Sequence, residues 1–243
     1  MSDSHRSVLR SSSIIGGSSV ANVLIGIART KVAALVLGAA GIGLVGLAHG
    51  LMSTVAAFVG FGLGNVGTRQ IAAASGDPAA VSAARRATAI AAAVLALVGA
   101  LLLFSLREKA ALWVFQDRSW AANIGWLALG VALLIGSSAQ NAIFTGLRRV
   151  GDLARVSVGS ALLATALGIG ALLVWREDAL LFFVLVSPVV TFAVGAWFVA
   201  RIPRSSARRA RIAELAPHWR ALARLGLAFT LGAAANATRM KTM

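Results

Sequence analysis

Six stretches of this chain run for twenty residues or more with almost no charge: 11–37, 42–68, 87–106, 121–147, 153–174 and 179–200. A helix needs about 20 apolar residues to cross the hydrocarbon core of a bilayer, so each stretch is long enough for one crossing. A soluble domain of this size would carry far more charge than the 13% of residues found here beside 58% hydrophobic ones. The pattern predicts an all-α membrane protein of six spans, with a shorter seventh at 222–238. Cysteine is absent, which removes disulfides, thiolate metal sites and thiol nucleophiles. The first apolar segment is too long for a cleaved signal, and no small-residue cleavage site follows a short core.

The formal net charge of +15 suggests nucleic acid until the charges are placed. With the N-terminus in the cytoplasm, the inner segments hold Arg6, Arg10, Arg69, Arg85, Arg86, Arg148, Arg149, Arg155, Arg201, Arg204, Arg208, Arg209, Arg211, Arg220 and Arg224. The outer loops hold Arg107, Lys109, Arg118 and Arg176, which is four against fifteen. The positive-inside rule then orients the chain N-terminus in, and the basicity serves topology and anionic membrane lipids. No nucleic-acid partner is expected, since no basic motif carries base-reading or stacking residues. Trp113, Trp120, Trp126 and Trp175 suit an outer aromatic belt, and Trp197 and Trp219 an inner one.

Two cations interrupt the apolar pattern. Ser12, Ser19, Asn22, Gly26 and Arg29 recur at helical spacing on one face of span one. That places Arg29 on a polar stripe, a little outward of the midplane, where it faces either a water-filled cavity or the headgroups. Lys31 points roughly the opposite way, with the same two readings open. Span two carries Gly43, Gly46, Gly50, Ser53, Ala57, Gly60, Gly64 and Gly67, a seam of small residues at alternating spacings of three and four. Helices in lipid associate by such close backbone approach, so spans one and two are expected to form a hairpin with this seam packed. His49 is a proton carrier or a hydrogen-bonded packing residue. Arg69 closes span two as a topological anchor or a binding cation.

Ser75-Gly76-Asp77-Pro78 reads as a turn whose proline starts the next helix, and span three is featureless enough to face lipid. In span four Ser137, Asn141, Thr145 and Arg148 share one face, with Gln140 and Ser138 beside them. These polar groups are interhelical glue or the wall of a cavity. Ser187-Pro188 lies at mid-span six, where a missing amide donor kinks a helix. Residues 201–221 form a basic amphipathic linker on the cytoplasmic leaflet.

Enzyme chemistry finds no purchase. The histidines are His5, His49 and His218, scattered, and every acidic residue falls in a loop or flank, so no acid–base pair, metal cluster or nucleophile can be assembled within the spans. No phosphate-binding loop is present, and no cofactor is expected. What remains is cationic charge at membrane depth without a carboxylate to neutralise it. That is costly unless an anion arrives, and guanidinium matches phosphate oxygens well.

The run Arg29-Thr30-Lys31-Val32-Ala33-Ala34-Leu35-Val36-Leu37-Gly38-Ala39-Ala40-Gly41-Ile42-Gly43-Leu44 has a cation, an apolar run, Leu-Gly and then Gly-x-Gly. The following helix ends on Arg69-Gln70-Ile71-Ala72, and Asn141-Ala142-Ile143-Phe144-Thr145-Gly146-Leu147-Arg148-Arg149 precedes Leu153-Ala154. Together these resemble the Wzx-like O-antigen and polysaccharide flippases of the multidrug/oligosaccharidyl-lipid/polysaccharide superfamily. The resemblance implies two six-helix lobes of the MATE type around a central cavity, joined by a basic linker. On that template residues 1–200 are the N-terminal lobe, 201–221 the inter-lobe linker and 222–243 the start of a second lobe, so the chain looks cut off after its seventh helix. The resemblance also implies alternating-access flipping of an undecaprenyl-diphosphate-linked oligosaccharide across the bacterial inner membrane, with a polysaccharide polymerase as a further partner. Arg29, Lys31 and Arg69 match the cavity cations. Asn22, Gln140 and Asn141 complete the expected substrate-binding set. Two other readings stand beside this one: a multidrug exporter of the sister branch, and a membrane assembly protein that transports nothing.

Overall fold

The computed structural model describes residues 3–60 and 62–202. The expected linker and seventh span, and with them Trp219 and His218, lie outside the described residues. Within them the protein is helical. Helix α1 covers Asp3–Gly60, α2 Leu63–Ala73, α3 Pro78–Ser105, α4 Arg107–Ala110, α5 Ala121–Gly146, α6 Val150–Trp175 and α7 Leu180–Ala200. A π-helical turn (Ala111–Phe115) and a 3-10 turn (Arg118–Trp120) link α4 to α5, and another 3-10 turn (Arg176–Ala179) links α6 to α7.

Five of the helical segments are long and apolar enough to cross a membrane, and the first of them spans 45 residues. At 1.5 Å per residue that one would reach about 67 Å if straight, twice the hydrocarbon thickness. It is not straight. Gly38 has φ 67° and ψ −173°, a conformation only glycine adopts readily, and the two arms fold back on each other there. Ala33, Val36 and Leu37 of the first arm meet Ile42 and Val45 of the second around Leu172 and Phe183. The hairpin expected from spans one and two is therefore present, hinged on the glycine of the Leu-Gly pair. Gly38→Ala is expected to cost about 1–3 kcal/mol, read as a lower melting temperature of the detergent-extracted protein. Gly38→Asn would not rescue it, because Asn tolerates the left-handed helical well near ψ +47° and not this one.

A second break departs from the single span expected over 42–68. Helix α1 ends at Gly60, and α2 restarts from Gly62 in a left-handed conformation, φ 64° and ψ 22°. The Gly62 carbonyl accepts the first helical bonds, from the Asn65 and Val66 amides at 2.9 and 3.1 Å.

Helix α5 is the centre of the bundle. Ile124, Leu127, Val131 and Ile135 are buried along it. They pack on Ala48, Met52 and Val59 of α1, on Ala91, Ala92 and Leu103 of α3, and on Val184 of α7. Glycines allow the approach: Gly130 lies against Met52, and a Cβ at Gly136 would meet the Phe192 ring at 2.6 Å. Ile71, Ala84, Ile143, Phe144, Val156 and Ile202 close one end. That end also carries Arg69, Arg85, Arg86, Arg148, Arg149, Arg155 and Arg201, and Asp152 bridges Arg149 and Arg155 at 3.0 and 3.3 Å. Helix α3 exposes Val94, Leu97, Leu101 and Phe104, as expected of a lipid-facing helix.

Two aspartates cap helical starts, the first in the turn expected before span three. Asp77 accepts the Ala79 amide at 2.8 Å, with Pro78 as the first helical residue of α3. Asp117, in the loop before α5, accepts the Ser119 amide and hydroxyl at 2.9 and 2.7 Å. These donors, hydroxyl first, hold its carboxyl below the usual carboxylate range. A depressed carboxyl contributes stability that is present above its unfolded pKa of about 3.9 and is lost as pH falls through its lower folded value. An NMR titration of Asp117 should therefore find its midpoint below that of a model peptide, and Ser119→Ala should raise it.

The small-residue seam divides at the second break. A Cβ added at Gly64 would meet the Ser138 hydroxyl at 2.8 Å, and one at Gly67 would meet Thr88 at 2.8 Å and Ala142 at 3.2 Å. At Gly43, Gly46, Gly50 and Gly60 nothing lies within 4 Å of an added Cβ, and Ser53 and Ala57 are exposed. The expectation of a packed seam thus holds only for α2. Along α1 it is open.

Candidate functional site in the hairpin

Gly46, on the open stretch of the seam, lines a hollow of about 310 Å³. Arg29, Thr30 and Ala33 come to it from the first arm, Gly46 and His49 from the second, and Phe183 and Ser187 from α7. The guanidinium of Arg29 is partly buried there. Its Nη2 donates to the Phe183 carbonyl at 2.6 Å, and its Cζ lies 4.4 Å from the centre of the Phe183 ring. Carbonyl and ring both favour a cation, the ring through its quadrupole, yet neither carries charge. Among the described residues no ion pair reaches Arg29. Pro188 follows in α7 and has no amide hydrogen to give the Val184 carbonyl, so the helix is weakened one residue beyond the group that Arg29 holds.

A second hollow, of about 410 Å³, adjoins the first through Ser187, which lines both. Asn22, Asn141, Ser157, Ser160 and Thr191 also line it. The Asn22 amide donates to the Ser157 hydroxyl at 2.7 Å and so ties α1 to α6, while the Ser160 hydroxyl donates to the Ser157 carbonyl at 3.2 Å. Among the described residues no carboxylate lines either hollow.

The expected site residues are thus divided. Arg29 and Asn22 lie on hollows at successive levels of one helix face, as their spacing of seven requires. Asn141 is exposed on the wall of the larger hollow. Gln140, one residue away, is buried and turned toward α7, where its amide donates to the Phe192 carbonyl at 3.1 Å and packs against Gly195. Of the two readings for the polar end of α5, Asn141 therefore fits the cavity wall and Gln140 the link between helices. Lys31 is exposed and lines neither hollow, and Arg69 is exposed at the arginine-rich end. His49 shares the Arg29 hollow, a placement the sequence left open. Phe183 and Ser157 were not legible as site residues: each is partnered by a residue more than a hundred positions away, and nothing in its own neighbourhood marks it. No group of three or more metal-ligating side chains occurs among the described residues.

Length, composition and fold define a multi-pass helical membrane protein, with a cation set beside a hollow inside its first hairpin. The model of a polysaccharide biosynthesis protein family matches residues 8–238, nearly the whole sequence. The chain belongs to that family, as the motifs around Arg29, Arg69 and Asn141 led us to expect. No curated protein sequence and no solved structure matches it.

Proposed function

We propose that the protein moves an undecaprenyl-diphosphate-linked oligosaccharide across the bacterial inner membrane, with Arg29 receiving the diphosphate. The observation that carries this reading is the state of Arg29: a partly buried guanidinium held by a carbonyl and a ring, without a carboxylate. A charge at that depth is costly until an anion joins it, and a planar fork of donors suits phosphate oxygens. The sugars would pass along Asn22 and Asn141. The absence of carboxylates from both hollows among the described residues weighs against cationic drugs as cargo. With the arginine-rich end toward the cytoplasm, the larger hollow is on the side from which a lipid-linked glycan is loaded. Rocking about the weakened Ser187-Pro188 segment would then re-expose the site outward.

Deletion of the gene tests this. Lipid-linked repeat units are expected to accumulate on the cytoplasmic face while surface glycan is lost. Loss of surface glycan without such an intermediate would instead assign the protein an assembly role.

A further inference from the structure

The larger hollow differs from its neighbour in chemistry. Eight of its thirteen lining residues carry a hydroxyl or a carboxamide, and none is charged. They come from α1, α5, α6 and α7, so the cluster is built by the fold and not by one polar helix. The rest of the wall is aliphatic, supplied by Val150, Leu153, Ala154, Val156 and Ala161. Among the described residues, no hydrogen bond engages the side chain of Asn141, Ser187 or Thr191. Each such group can both donate and accept, and each needs a polar partner at membrane depth.

From this we infer that the hollow is a site for an uncharged sugar ring, hydroxylated or N-acylated. Such a ring offers hydroxyls around its edge and C–H faces above and below, which the polar and aliphatic walls meet in turn. Its volume lies at the lower end of that of small-ligand pockets. A uronate or a free amino sugar would bring a charge with no opposite charge on the wall, at a depth where that is unfavourable. The position deepens the flippase reading, on which the identity of the cargo rests. Asn22 precedes Arg29 by two helical turns, about 10 Å along the axis. A diphosphate held at Arg29 would therefore set the first sugars of its glycan in the larger hollow. The protein would then select lipid-linked glycans whose sugars nearest the diphosphate are neutral.

The test uses the whole chain in nanodiscs, with decyl glucoside and decyl glucuronide as probes at pH 7. The glucoside should bind at least about tenfold more tightly than the glucuronide, roughly the effect of one unsatisfied buried polar group. Thr191→Val, nearly isosteric, and Asn141→Leu should each erase most of that preference without lowering the melting temperature. In Arg29→Ala the preference should remain, which separates the hollow from the cation. Equal binding of the two glycosides, or a preference untouched in both hollow variants, would overturn the inference. Sugar-free polyprenyl diphosphate tests the cation independently. If it fails to bind wild type while the glucoside preference persists, the flippase reading falls and the sugar site stands. If it binds and is lost in Arg29→Ala while the glucoside preference is absent, the reverse holds.

Discussion

Arg29→Ala should abolish glycan export while leaving the protein inserted in the membrane and folded. Two contacts are lost, the 2.6 Å bond to the Phe183 carbonyl and the stack on the Phe183 ring. A charge-assisted bond is worth about 1.5–3 kcal/mol, but removing this one also removes a cation that was costly to bury. The Phe183 carbonyl also lies within a helix, so the net change in stability is expected to be about 1 kcal/mol or less of either sign. Export has no such compensation, because among the described residues no other arginine or lysine lines either hollow. Arg29→Lys keeps the charge and loses the planar fork, so partial export is expected. Surface-glycan staining, together with melting curves of the extracted protein, gives both readouts. Normal export by Arg29→Ala would remove the site.

The seam supplies a second pair of results with opposite signatures. At Gly67 a leucine must enter where Thr88 and Ala142 already sit at 2.8 and 3.2 Å from the first added carbon. Overpacking of this kind costs about 1–3 kcal/mol, sometimes more. Thr88 is poorly placed to yield, being buried and bonded to the Ala84 carbonyl at 2.9 Å. Gly67→Leu should therefore lower the melting temperature and the yield of membrane-inserted protein. At Gly46 the first added carbon meets nothing within 4 Å, and the side chain projects toward the Arg29 hollow. Gly46→Leu should melt like wild type yet fail to export. If both variants melt alike, the division of the seam at Gly60–Gly62 is wrong.

That division also shows where reading the residues alone runs out. The apolar runs announced the crossings, because span length is set by bilayer thickness and needs no partner to specify it. The Leu37-Gly38 turn was visible for a similar reason, since a glycine between two spans is where a hairpin can close. The Gly60–Gly62 break was hidden. The small residues keep helical spacing straight through it, and spacing carries no information about the sign of φ at Gly62. Periodicity likewise put Asn22 and Arg29 on one face correctly, but it says which residues share a side, not what lies opposite. Phe183 comes 154 positions after Arg29, and only the packing of α7 against the hairpin brings them together. Gln140 and Asn141 make the same point at close range: adjacent in the chain, about 100° apart on the helix, one turned to α7 and the other to the cavity.

The central place of α5 has a consequence for how the protein is made. Helices α1 and α3 leave the ribosome first, and much of the surface they bury is surface that α5 later covers. Each is apolar enough to rest in lipid unaided, so the early chain can enter the bilayer as separate rods. The fourth crossing then supplies the spine on which the earlier helices gather.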